Sequence, residues 1–127
     1  MNIVMLQGNL ARDPELRSFT NGDKQTFVVN FTVAVSREFI KANGSVDKAT
    51  SFIQCEAWDS GAQAISESLR KGDLVFVEGS IRNDSWEKDG VKHSTYKIRV
   101  NNFGRFDKVR RRAETVQSVS AEDTVAF

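Results

Sequence analysis

Between Phe27 and Val35 an apolar side chain falls on every second residue, so Phe27, Val29, Phe31, Val33 and Val35 share one face. A period of two belongs to a strand, because successive side chains leave a pleated backbone on opposite sides. A strand that is apolar on one face must be paired and covered, which commits the chain to a sheet. Four further segments fit the same reading: a short apolar run over 3–8, and longer ones over 51–58, 74–86 and 93–103. Turn signals separate them. Asp13-Pro14 and Asn21-Gly22 place a loop over 9–24. Asn43-Gly44 sits in an exposed hairpin loop over 41–48, and Lys88-Asp89-Gly90 makes a tight hairpin. One helix is expected, capped by Asp59 or Ser60 and running to about Arg70. Ala62, Ile65 and Leu69 line its apolar stripe, and Lys71-Gly72 closes it.

Three strands, a helix and a two-strand hairpin is the order of an OB-fold. That is an all-β, five-stranded Greek-key barrel, here with its helix between strands 3 and 4. The 127 residues suit one such domain. No stretch approaches the roughly 18 apolar residues of a membrane helix. The N-terminus has no basic, apolar and small-residue succession of a secretory signal. A cytoplasmic location is therefore expected. One cysteine and one histidine are too few for a structural zinc site, and no phosphate loop or nucleophile set appears. No catalytic group, metal or cofactor is expected. Cys55, between Ile53 and Ala57, reads as a buried inert thiol, and His93 as a solvated strand-end residue. The net charge of +1 hides blocks: Lys108, Arg110, Arg111 and Arg112 form a basic step, and Glu114, Glu122 and Asp123 follow with no further base. Beyond about Arg110 apolar periodicity stops, so 107–127 is read as a disordered tail on a domain of 1–106.

Alternation also assigns faces. Ile53, Cys55 and Ala57 look inward, leaving Phe52, Gln54, Glu56 and Trp58 outside. Val75, Val77, Gly79 and Ile81 oppose Arg82, Asp84 and Trp86, while Tyr96, Ile98 and Val100 oppose Thr95, Lys97 and Arg99. Phe27, Phe31 and Phe76 are assigned to the core. Phe39 stands just past the second strand, with Lys41 close behind. Large aromatics on a face otherwise carrying Gln, Glu, Lys and Arg need a partner. Either flat ligands stack there, each base worth about 1–3 kcal/mol, or a second subunit covers the rings.

The segments VMLQGNLARDPELR, NG, FTVAVS and SLRKGDLVFVEGSIR, with Trp86 beyond them, resemble the bacterial-type single-stranded DNA-binding protein family over about 1–106. The resemblance implies an OB-fold, a homotetramer, and sequence-independent binding of single-stranded DNA in replication, recombination and repair. It implies a nucleoid-associated setting in a bacterium, plasmid, phage or organelle. The family's stacking aromatics fall on Phe39, Phe52, Trp58 and Trp86, and its basic positions on Arg17 and Lys71. Lys41, Arg82, Lys97 and Arg99 complete the expected DNA-binding set. Gln54 and Ser60 stand at places often basic in the family, and Ile53 replaces a His of the tetramer interface. The family's tail is a long Gly/Gln/Pro-rich linker with an acidic tip ending in Pro-Phe. Here a short linker ends in Glu122-Asp123-Thr124-Val125-Ala126-Phe127, so Glu122, Asp123 and Phe127 are expected to bind replication and repair proteins.

Overall fold

A computed structural model describes residues 1–107 of the chain. The order is β1 (Val4–Leu10), β2 (Glu15–Asn21), β3 (Lys24–Ile40), β4 (Val46–Trp58), α1 (Asp59–Ser68), β5 (Leu74–Lys88) and β6 (Val91–Phe106). All six strands join one sheet in the order β1-β5-β6-β4-β3-β2, and β1 also pairs with β3. That extra pairing, Asn9 to Ala34 and Leu10 to Val33, closes the sheet into a barrel. With β2 set aside, the ring β1-β3-β4-β6-β5 is the expected five-stranded Greek key, and the helix falls between its third and fourth strands. The β4–β6 contact is parallel, with Cys55 opposite Ile98 and Glu56 opposite Arg99. Among the described residues no helix is long and apolar enough to cross a membrane.

Most of the interior is the set that alternation predicts. Val29, Phe31 and Val33 of β3, Cys55 and Ala57 of β4, Val75 and Val77 of β5, and Ile98 and Val100 of β6 are buried together. Ala62, Ile65 and Leu69 from the helix segment and Phe103 close the barrel's end. Burial pushes the Cys55 thiol up to about 12, which keeps it protonated and inert at neutral pH.

Five expectations need correction. The segment read as a loop over 9–24 contains β2, which pairs with β3 from Glu15↔Asn30 to Asn21↔Lys24. Every residue of β2 is exposed, so it has no apolar face to mark it. The loop read over 41–48 shrinks to 41–45, because β3 and β4 run on as a ladder to Ile40↔Val46. The inward sets of β5 and β6 also end sooner than expected. Ile81 and Tyr96 are 45% and 64% exposed, because this hairpin projects past the barrel's mouth. Phe76 lies on the other side of β5 from Val75 and Val77 and packs against Phe106 at 5.8 Å. The helix has no side-chain cap, since Asp59 instead accepts the Phe27 N–H at 3.3 Å and ties α1 to β3.

Two backbone features set the faces. Asp89 and Gly90 both have positive φ, 54° and 79°, the conformation of a two-residue hairpin turn whose twist matches its strands. Farther down the same hairpin the register slips: Glu78 pairs with Asn102 but Gly79 with Val100. Asn101 is thus the extra residue of a β-bulge. Below it Val77 and Phe103 face inward together; above it Gly79 and Val100 do so, and Ile81 and Ile98 share that side although only Ile98 is buried. Arg99 and Lys97 are thereby turned outward.

Candidate nucleic-acid interface

Residues paired across a ladder point to the same side of a sheet, so the registers can be read as rows. One row runs Arg17, Val28, Trp58 across β2, β3 and β4. The next runs Glu15, Asn30, Glu56, Arg99, Ser80 across five strands. Farther along, Thr32 and Gln54 share a row on β3 and β4, and Lys97 is opposite Arg82. Then come Ala34 with Phe52 and Asp84 with Thr95. Trp86 and His93 end the face at the hairpin tip. Phe52, Trp58 and Trp86 are 65%, 37% and 48% exposed there. The rings are far apart: about eight residues of β6 separate the levels of Trp58 and Trp86, on the order of 25 Å.

Two rings are already partnered by cations or by another ring. The Arg99 guanidinium lies 5.4 Å from the Trp58 ring centroid. Trp86 stacks on His93 with centroids 5.5 Å apart and planes 19° from parallel. Each contact presets a ring's orientation while leaving surface open.

Between the rings lies a cluster of four charges. Glu56, one of two polar or charged residues buried in the described chain, accepts from Arg99 Nε at 3.0 Å and lies 3.5 Å from Lys97 Nζ. Lys97 also meets Asp84 at 3.0 Å. The hydrogen bond that Lys97 donates to Asp84 and the charge of both carboxylates hold the Lys97 ammonium above its ordinary range, against a smaller opposing effect of burial. Arg82 has no carboxylate within ion-pair distance among the described residues.

The chain matches the family described as single-strand binding protein over residues 1–106. It belongs to that family. A single-stranded DNA-binding protein of Synechocystis is 32% identical over 125 residues, which cover 97% of this chain and 98% of that one. Its counterpart in Lactiplantibacillus plantarum is 38% identical over 104 residues, 81% of this chain. The chain spans half the length of that relative. Among solved structures, a Plasmodium falciparum SSB in complex with ssDNA superposes with a TM-score of 0.73 at 21% identity, over 84% of this chain and 96% of that chain. A deletion mutant of the Thermus aquaticus single-stranded DNA-binding protein gives 0.72 at 27% identity, over 84% and 51%. The OB-fold is thereby shared with the family.

Phe52, Trp58, Trp86, Arg82, Lys97 and Arg99 of the expected set come together on this face, from β4, β5 and β6, and Arg17 borders it through the Trp58 row. Phe39 and Lys41 do not. Phe39 stands opposite Asp47 on the other side of the β3–β4 arm, with Arg37 5.5 Å from its ring centroid. Lys41 pairs with Asp47 at 3.0 Å. The Lys48 backbone N–H, and then Lys41, hold the Asp47 carboxyl below the usual range. Lys71 lies in the turn after α1, where its backbone N–H donates to Asp13 at 2.8 Å. Glu122, Asp123 and Phe127 lie outside the described residues. Sequence reasoning passed over Phe19, half-exposed and on the same side of β2 as Arg17. It was hidden by the reading of β2 as loop. Reasoning also gave His93 no role, although its position opposite a tryptophan across a tight turn was a signal.

Proposed function

We propose that this chain is a non-enzymatic, sequence-independent binder of single-stranded DNA. The observation carrying the reading is the exposure of Phe52, Trp58 and Trp86 along one continuous face with cations between them. Bases stack on such rings without regard to sequence, and Lys and Arg take the phosphates. The binding unit is residues 1–106. The sites are the residues of that face together with Phe39, Lys41, Arg17 and Lys71 around it. The setting is cytoplasmic and nucleoid-associated.

Assembly into a homotetramer belongs to the same reading. Adjoining the face, a hollow of about 270 Å³ is lined by Val4, Leu6, Ile53, Ile81 and Tyr96, and it shares Phe52, Gln54 and Lys97 with the face itself. Met5 and Ile3 are also open to solvent. Apolar surface of that kind fits a subunit contact.

Titration with oligo-dT tests the binding. Stacking should quench the tryptophan emission, and log K should fall against log salt by about 0.7 for each phosphate contact. An unquenched signal together with a salt slope near zero would overturn the proposal. Light scattering on the same sample should weigh four chains per particle, and a monomer would remove the tetramer.

The segment 107–127 acts in this reading as a recruiting tail. Glu122, Asp123 and Phe127 offer two acids, a ring and a terminal carboxylate to an apolar pocket with a basic rim. Removing 124–127 should leave oligo-dT affinity within about twofold and abolish capture of replication and repair proteins from lysate. Recovery of the same partners with the shortened chain would refute the tail's role.

A further inference from the structure

A face built to hold a polyanion carries a carboxylate at its centre. Glu56 is 8% exposed at its side chain, sits in the middle of the five-strand row, and touches both Arg99 and Lys97. Asp84 takes the other side of Lys97. Two cations and two carboxylates make the patch neutral over its four side chains. The same Glu56 oxygen that binds Arg99 also fixes the guanidinium that lies 5.4 Å from the Trp58 ring centroid.

We propose that Glu56 is a positioning and charge-balancing residue of the nucleic-acid face, which locks Arg99 against Trp58 and keeps phosphates off the centre. Bases then lie over the middle rows, and the backbone is gripped at the rim by cations without an internal partner, Arg82 first among them. A phosphate approaching Arg99 or Lys97 has to displace a carboxylate that is already in place. Breaking a buried pair leaves a charge without compensation, so that exchange is unfavourable. The strand is held by stacking more than by ion pairing, and its affinity depends on salt less than the number of basic side chains on the face would indicate.

The inference rests on the binding reading above, and its test separates the two. In full-length protein carrying Trp86→Phe, Trp58 is the one remaining tryptophan. Adding Glu56→Gln should change the Trp58 emission maximum or intensity with no DNA present, because Arg99 is released from its anchor. Unchanged emission would overturn the positioning role, whether or not DNA binds. With tryptophans intact, Glu56→Gln should tighten oligo-dT binding about three- to tenfold at low salt. It should also steepen the log–log salt slope by about 0.7, the increment of one phosphate contact. Equal or weaker binding with an unchanged slope would overturn the charge-balancing role. Asp84→Asn, at a half-exposed position, removes one of the two carboxylates that hold Lys97 and covers the case in which Glu56→Gln fails to fold. It should steepen the slope in the same direction, and an unaltered slope would count against the proposal equally. Failure of the unmodified protein to bind oligo-dT would sink the binding reading and leave the emission result standing.

Discussion

Replacing Trp58 and Trp86 together by Ala is expected to weaken oligo-dT binding by about 2–6 kcal/mol, at least thirtyfold or so in Kd. Each ring contributes the stacking of about one base, roughly 1–3 kcal/mol. The two lie near opposite ends of the face, on the order of 25 Å apart by strand rise. Sites so separated, with no shared partners, lose free energy additively. Both rings are more than a third exposed, so the fold should keep its melting temperature within a few degrees. With no tryptophan left, the binding is read by anisotropy of a labelled oligonucleotide. Wild-type affinity in a folded double variant would mean that the strand follows another path.

The second large effect concerns the fold. Gly79→Ala is expected to destabilise the protein by about 2–4 kcal/mol. A Cβ at Gly79 would lie 2.0 Å from the Arg99 carbonyl oxygen and 2.8 Å from its carbon, both backbone atoms of the neighbouring strand. Backbone in a ladder cannot swing aside as a side chain can, so β5 and β6 would have to part at the bulge. Urea unfolding gives the measurement. A variant whose midpoint matched the parent would show that the two strands are less closely apposed than this. Because the clash is with Arg99, the damage should reach the face as well, weakening the contact of Arg99 with Glu56.

How much of this could be read from residues depended on whether a segment has a dry side. β3 announces itself, since its alternation persists over nine residues and one face is core. The strands after it yield their outer faces by the same parity, and so Phe52, Trp58 and Trp86 were legible. β2 was not, because all seven of its residues are exposed and a strand wet on both sides has no periodicity to detect. The arms beyond the barrel were underestimated for the same reason. Phe39 shows a limit of another kind. Its type and position fit a stacking ring, but only the β3–β4 register reveals that it stands opposite Asp47 and not beside Phe52. The partnership of Glu56 with Arg99 spans 43 residues of chain. No local pattern records it.

The bulge at Asn101 gives this protein a counting rule. Which residues of β6 touch solvent is decided by whether an odd or even number of positions separates them from Phe103, and the bulge adds one to that number. Tyr96 to Val100 spells an ordinary alternating strand whose chemistry would be equally regular upside down. Were Asn101 paired in regular register opposite Gly79 and not bulged, Arg99 and Lys97 would be threaded into the interior while Ile98 and Val100 came out. The outward cations of the face and the inward residues that hold the barrel together are thus interleaved in one segment, and their division of labour is a matter of phase.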